Sequence, residues 1–111
     1  MKFGHLHIPV RDLPAALEWL ARVWDVKPGF EDLASGMAVV SVHGASLILD
    51  RAYEDAAVTI GFNSDNCDED YRQATERAAE TLEPPTDRPW GVRAAYIRGP
   101  GRITFEIEQA L

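Results

Sequence analysis

Residues 89–108, Pro89-Trp90-Gly91-Val92-Arg93-Ala94-Ala95-Tyr96-Ile97-Arg98-Gly99-Pro100-Gly101-Arg102-Ile103-Thr104-Phe105-Glu106-Ile107-Glu108, decide the fold. They read as two alternating strands joined by a tight Gly-Pro-Gly turn. Ile103, Phe105 and Ile107 form one apolar face of the final strand, so Glu106 points away from it. A carboxylate on the side of a sheet turned from its core is a candidate to touch a ligand, either by holding a metal or by meeting a substrate.

Working back from that hairpin, the same succession of elements appears twice. Residues 3–10 alternate as a strand. Asp12 then caps a helix that has Pro14 in its first turn, where a missing N–H costs nothing. Leu13, Leu17, Leu20 and Trp24 recur at helical spacing and predict one apolar stripe, and 25–29 end the helix. A short strand near 29–32 follows, then a hairpin of strands 37–42 and 45–50 over His43-Gly44. In the second copy, 57–62 is a strand, 63–66 a cap-rich turn, and 67–82 a helix with Cys67, Tyr71, Ala74, Ala78 and Leu82 on its inner side. Glu69, Asp70, Arg72, Glu76, Arg77 and Glu80 give that helix a solvated outer face. Residues 83–89 hold three prolines and predict a short extended segment before the closing hairpin.

The expectation is an α+β domain of two β-α-β-β-β modules, about 1–53 and 54–111, whose curved mixed sheets surround a cup. Chemistry belongs on the side of each sheet that faces the cup, away from the helix.

Bulk composition narrows the function. The chain has 111 residues, enough for one small domain and close to the size at which dimerisation adds useful burial. Eighteen acidic against eleven basic side chains give a net charge of −7, which disfavours nucleic acid and anionic membranes and favours a cationic small molecule, if any charge-matched partner. The single cysteine, Cys67, excludes an internal disulfide and suits a reducing compartment. Asp68, Glu69 and Asp70 follow it and oppose a thiolate, so a nucleophilic role is not expected. No apolar run reaches the length of a membrane span and 1–5 carry no signal-peptide core, so the expected location is cytoplasmic.

His5 and His7 stand two apart and project to one strand face, where two imidazoles can converge on Zn, Fe or Ni. Glu106 is the best third ligand. The plainer alternative is a pair of neutral histidines that line a pocket or pack. Arg93 offers a fixed cation for a carboxylate or planar ligand, or else a salt bridge to a neighbouring acid such as Glu106. Trp90 stacks on a ligand or closes the core beneath it. Trp19 and Trp24 read as packing residues, and His43 as a turn residue. There is no nucleophile elbow and no phosphate-cradling glycine loop.

With its duplicated modules, Val10-Arg11-Asp12-Leu13 before the first helix, Pro89-Trp90-Gly91-x-Arg93, and the closing Gly-Pro-Gly and Phe105-Glu106, the chain resembles the vicinal oxygen chelate superfamily, which includes glyoxalase I, bleomycin-resistance and extradiol-dioxygenase proteins. The likeness to small bleomycin-resistance members is strongest at Trp90-Gly91-x-Arg93. In metal-dependent members the ligands come from the first and last strands of each half. His5 and Glu106 match two of those places. The other two fall on Thr59 and, when the Gly44 and Gly101 turns are superposed, on Leu49, with Asp50 one place away and expected to face the opposite side. The resemblance therefore implies a small-molecule, antibiotic-resistance-type binding protein without tightly bound metal. Sequestration would take place in the cup of a homodimer, through His5, His7, Thr59, Trp90, Arg93 and Glu106, with no catalytic residue assigned. The alternative it implies is a metal-dependent lyase, isomerase or dioxygenase holding Zn, Ni, Mn or Fe through His5, His7 and Glu106.

Overall fold

The computed structural model describes all 111 residues. The chain divides into two compact units, 1–56 and 57–111, and each repeats strand, helix and three strands.

In the first unit, β1 (Leu6–Val10) is followed by α1 (Leu13–Trp24), β2 (Phe30–Asp32), β3 (Met37–Val42) and β4 (Ala45–Arg51). The strands form one sheet in the order β1-β4-β3-β2, with β1 and β4 parallel and the other pairs antiparallel. Asp12 caps α1 by accepting the Ala15 N–H at 3.0 Å, and Asp25 closes it in the left-handed region at φ 53°. The buried stripe is Leu13, Ala16, Leu20 and Val23 with Trp19 at its edge. Leu17 and Trp24 are only half-buried, which rotates the stripe from the expected one. Under the helix lie Ile8, Val10, Ala38, Val40, Leu47 and Leu49, all nearly inaccessible to water. The hairpin turns over His43 and Gly44, both at positive φ (47° and 86°), as a two-residue type I′ turn requires. The first strand is shorter than expected: residues 1–5 precede it, and Phe3 is 80% exposed.

In the second unit, β5 (Val58–Asn63), α2 (Cys67–Glu76), β6 (Glu80–Arg88), β7 (Val92–Arg98) and β8 (Ile103–Ala110) give the sheet order β5-β8-β7-β6. Asn66 caps α2 by accepting the Glu69 N–H at 3.2 Å, and Asp68, Glu69 and Asp70 fall in the first turn, where the helix dipole favours negative charge. Ile97, Ile103, Phe105 and Ile107 are buried on the helix side, and Cys67, Ala95 and Ile107 form a buried cluster against which Tyr71 packs.

The second helix corrects the expected 67–82 span. It ends at Glu76 because Ala78 turns left-handed at φ 68° and the Ala79 N–H returns to the Ala74 carbonyl at 3.0 Å. The chain then enters β6, a nine-residue strand rather than a short extended segment, which carries two register irregularities around Glu83. Leu82 lies in that strand, 37% exposed, and not on a helix.

Candidate functional site

Each sheet has one face covered by its helix and one that its own unit leaves uncovered. Across the first sheet, register places Phe30, Val39, Ile48 and His7 in one row on the uncovered face. Three apolar side chains therefore lead to an imidazole. His7 Nδ1 meets Asp50 Oδ2 at 2.7 Å, which fixes the ring and leaves Nε2 free of that contact. The His5 ring stands edge-on to His7, with centroids 5.0 Å apart. The contact of Asp50 with His7 corrects its expected orientation. Asp50 shares the uncovered face, whereas Leu49 is fully buried under the helix. The difference lies in the turns. Val42 and Ala45 flank a two-residue turn in the first hairpin, while Arg98 and Thr104 flank a longer loop in the second, so superposing their glycines misaligns the strands.

On the second sheet the corresponding rows are Gly61, Glu106, Tyr96 and Glu83, then Thr59, Thr104, Arg98 and Glu80. Tyr96 Oη donates to Glu106 Oε2 at 2.5 Å. The Glu106 carboxylate lies over Gly61: a Cβ built there would be 2.9 Å from Oε1, so only a residue without a side chain leaves the acid its place. No cationic side chain pairs with Glu106. The hydrogen bond to Glu106, with partial burial and the carboxylate's charge, raises the Tyr96 hydroxyl above the usual tyrosine range. The Arg88 guanidinium sits 5.8 Å from the centre of the Tyr96 ring and bonds Glu83 at 2.7 Å, while its Nε is buried without a partner. Thr59 is exposed beside Thr104.

Arg93 is on the opposite face of β7 from Tyr96. It donates to Asp68 at the start of α2 (2.9 Å) and to Asp87 on β6 (3.0 Å), and these two bonds raise its pKa. Its salt bridge therefore goes to those two acids rather than to Glu106. Trp90 occupies the turn between β6 and β7 and is 66% exposed, so it closes no core. Cys67 is fully buried, and its S–H donates to the Ile107 carbonyl at 3.3 Å. Burial, then the charge of Asp68, pushes the thiol up, so a resting thiolate is disfavoured.

Neither unit by itself assembles three His, Cys, Asp or Glu side chains around one point. An ion with all its protein ligands from one unit does not fit these residues, because His7 and Glu106 are each engaged with a neighbour that is not arranged to complete a shell.

Sequence reasoning missed Tyr96 and Gly61. The signal was present, since counting outward from the closing turn pairs Tyr96 with Glu106, and a lone glycine in a strand often marks a close approach.

Residues 2–107 match the family described as the Glyoxalase/Bleomycin resistance protein/Dioxygenase superfamily. Among solved structures the chain is similar to a glyoxalase/bleomycin resistance protein/dioxygenase from Nocardioides, with 21% identity and TM-score 0.85 over 100% of this chain and 85% of that one. It is also similar to TioX from Micromonospora sp. ML1, with 21% identity and TM-score 0.78 over 98% of this chain and 100% of that one. A third is the genomically encoded fosfomycin resistance protein FosX from Listeria monocytogenes, with 16% identity and TM-score 0.75 over 100% and 94%. At these identities the likeness shows the fold alone. Comparison with curated proteins finds no match.

Proposed function

This chain belongs to the Glyoxalase/Bleomycin resistance protein/Dioxygenase superfamily, and from that premise we propose that it binds a small aromatic compound carrying a basic group and acts by holding it, without a tightly bound metal. The observation that carries this reading is Glu106. It is a half-buried carboxylate on an uncovered sheet face, steadied by the Tyr96 hydroxyl, seated over Gly61, and without a cation of its own. A negative charge partly removed from water and left unpaired is best compensated by a ligand's cation. The Tyr96 ring beside it offers a flat surface to an aromatic body. On the first unit, the row Phe30, Val39, Ile48 and His7 presents a surface of the same character, apolar with one polar end. The net charge of −7 draws cations toward the molecule as a whole. A resistance protein with this fold gives the proposal a precedent in kind, though not in ligand.

The acting form in this proposal is a homodimer. Phe3, Phe30, Leu33 and Trp90 are large apolar side chains that a single chain leaves in water and that a second copy would cover. The setting is cytoplasmic, supported by one free, buried cysteine. No helix is long and apolar enough to cross a membrane.

Calorimetry with a panel of aromatic amines and matched aromatic acids tests the reading. At least one amine should bind the parent protein and lose about tenfold or more in affinity in Glu106→Gln, while the acids do not bind at that face. Equal amine affinity in parent and variant would remove the basis of the proposal.

A further inference from the structure

At the C-terminal ends of β1 and β4 the first unit carries a cleft of about 340 Å³ lined by Arg11, Arg51, Ala52 and Tyr53. Arg51 pairs with Val10 across the sheet and shares the side of the buried Leu49, so the cleft lies on the opposite side from His7 and Asp50.

Its walls are held in place by specific bonds. The Arg51 N–H donates to the Gly36 carbonyl at 2.8 Å. The Arg51 side chain then runs directly over Gly36, where an added Cβ would fall 2.9 Å from Arg51 Cβ, 3.2 Å from Nε and 3.3 Å from Cζ. Gly36 has φ 79°, so both its backbone and the arginine above it require glycine. Opposite, the Arg11 backbone N–H donates to Asp55 Oδ1 at 2.8 Å. The intervening loop is tied to β1 by Ala52 N–H to the Val10 carbonyl (2.9 Å) and Ala56 N–H to the Pro9 carbonyl (3.0 Å).

Neither guanidinium in the cleft pairs with a carboxylate. Arg22, Arg72, Arg88 and Arg93 all do. In a chain with seven more acids than bases, two guanidiniums that bond no carboxylate line one cleft and can take an anion from outside, the neighbouring Asp55 carboxylate being held by the Arg11 backbone N–H instead. Tyr53, 98% exposed at the rim, adds a flat ring.

We propose that this cleft is a second binding site, for the oxyanion of a small aromatic compound, a phosphate monoester or a carboxylate. Arg11 and Arg51 take the oxygens through their N–H groups, and Tyr53 lies against the ring. The site is independent of Glu106 and takes the opposite charge.

Nuclear magnetic resonance titration of the full chain tests it, with phenyl phosphate, benzoate and inorganic phosphate as probes. Saturable shifts of the Arg11 and Arg51 side-chain signals are expected, with dissociation constants on the order of millimolar for such fragments. Arg11→Gln and Arg51→Gln should each weaken phenyl phosphate about tenfold, and Arg22→Gln, outside the cleft, should not. Arg51→Lys, which keeps a stem over Gly36 and the charge, serves if Arg51→Gln does not fold, and should weaken binding by losing the two-pronged contact. Tyr53→Ala should weaken the two aromatic probes and spare inorganic phosphate. Tighter phenyl phosphate than benzoate assigns the oxyanion as phosphate, and the reverse order assigns carboxylate. Absence of saturable shifts at the two arginines, or equal weakening by Arg22→Gln and Arg11→Gln, overturns the proposal.

Discussion

Replacing Gly61 with alanine probes the carboxylate at the centre of the proposed function. The new Cβ would stand 2.9 Å from Glu106 Oε1, closer than such atoms approach, so the side chain of Glu106 must swing aside. Tyr96 bonds the other oxygen of the same carboxylate at 2.5 Å, so displacing Oε1 disturbs that bond. A hydrogen bond to a charged acceptor contributes about 1.5–3 kcal/mol when buried, and partial solvation here reduces that to about 1 kcal/mol. Against this loss, exchanging a strand-interior glycine for alanine recovers about 0.5–1 kcal/mol. The two nearly cancel, leaving a change in Tm of about 2–4 °C or less. The informative readout is therefore the ionisation of Tyr96, not stability. In the parent the Tyr96 pKa is raised, first by the bond to Glu106, so its contribution to stability is complete below about pH 10, the unfolded value, and is lost as pH rises through the higher folded value. Absorbance titration in the alkaline range, with Tyr96→Phe subtracted to isolate the residue, should show the Tyr96 component shifted down in Gly61→Ala, along with loss of amine binding. An unshifted component combined with a Tm raised by the whole glycine-to-alanine gain would mean that the carboxylate does not lie over Gly61.

Ala78→Gly should stabilise the fold by about 0.5–1 kcal/mol, measured by urea unfolding, because the left-handed φ of 68° strains alanine and not glycine. Cys67 should resist a thiol reagent at mildly alkaline pH in the native protein and react on unfolding, since it is fully buried with a raised pKa; the stability held by the neutral thiol should likewise decline as pH rises past the unfolded thiol value. Asp50→Ala should change stability by no more than about 1 kcal/mol, because the pair is largely solvated, yet alter the imidazole nitrogen signals of His7 by freeing Nδ1.

Much of this architecture is legible in local chemistry. Asp12 and Asn66 announce their helices because their side chains accept N–H groups that the helix cannot satisfy itself, and His43-Gly44 announces a hairpin because both residues tolerate positive φ. The end of α2 is not announced. Its left-handed residue is alanine, with no glycine or asparagine to mark it, and Leu82 continues the helical spacing although it pairs in a strand. That strand forms by antiparallel pairing with β7 across the turn at Trp90, with register irregularities and two prolines that hide its alternation. The candidate site divides in the same way. Alternation alone puts Glu106 on the uncovered face, whereas the side of Asp50 depends on turn geometry that differs between the hairpins, and the partners of Arg93 depend on where α2 begins.

In the proposed function this protein retains an aromatic cation at Glu106 without metal and without altering it. Equilibrium dialysis of chelator-treated protein against the amine panel, with mass spectrometry of the recovered compound, tests this most directly. The expected result is a retained compound of unchanged mass that Glu106→Gln releases. Retention only after Zn, Ni, Mn or Fe is restored, or recovery of a compound with altered mass, would contradict it.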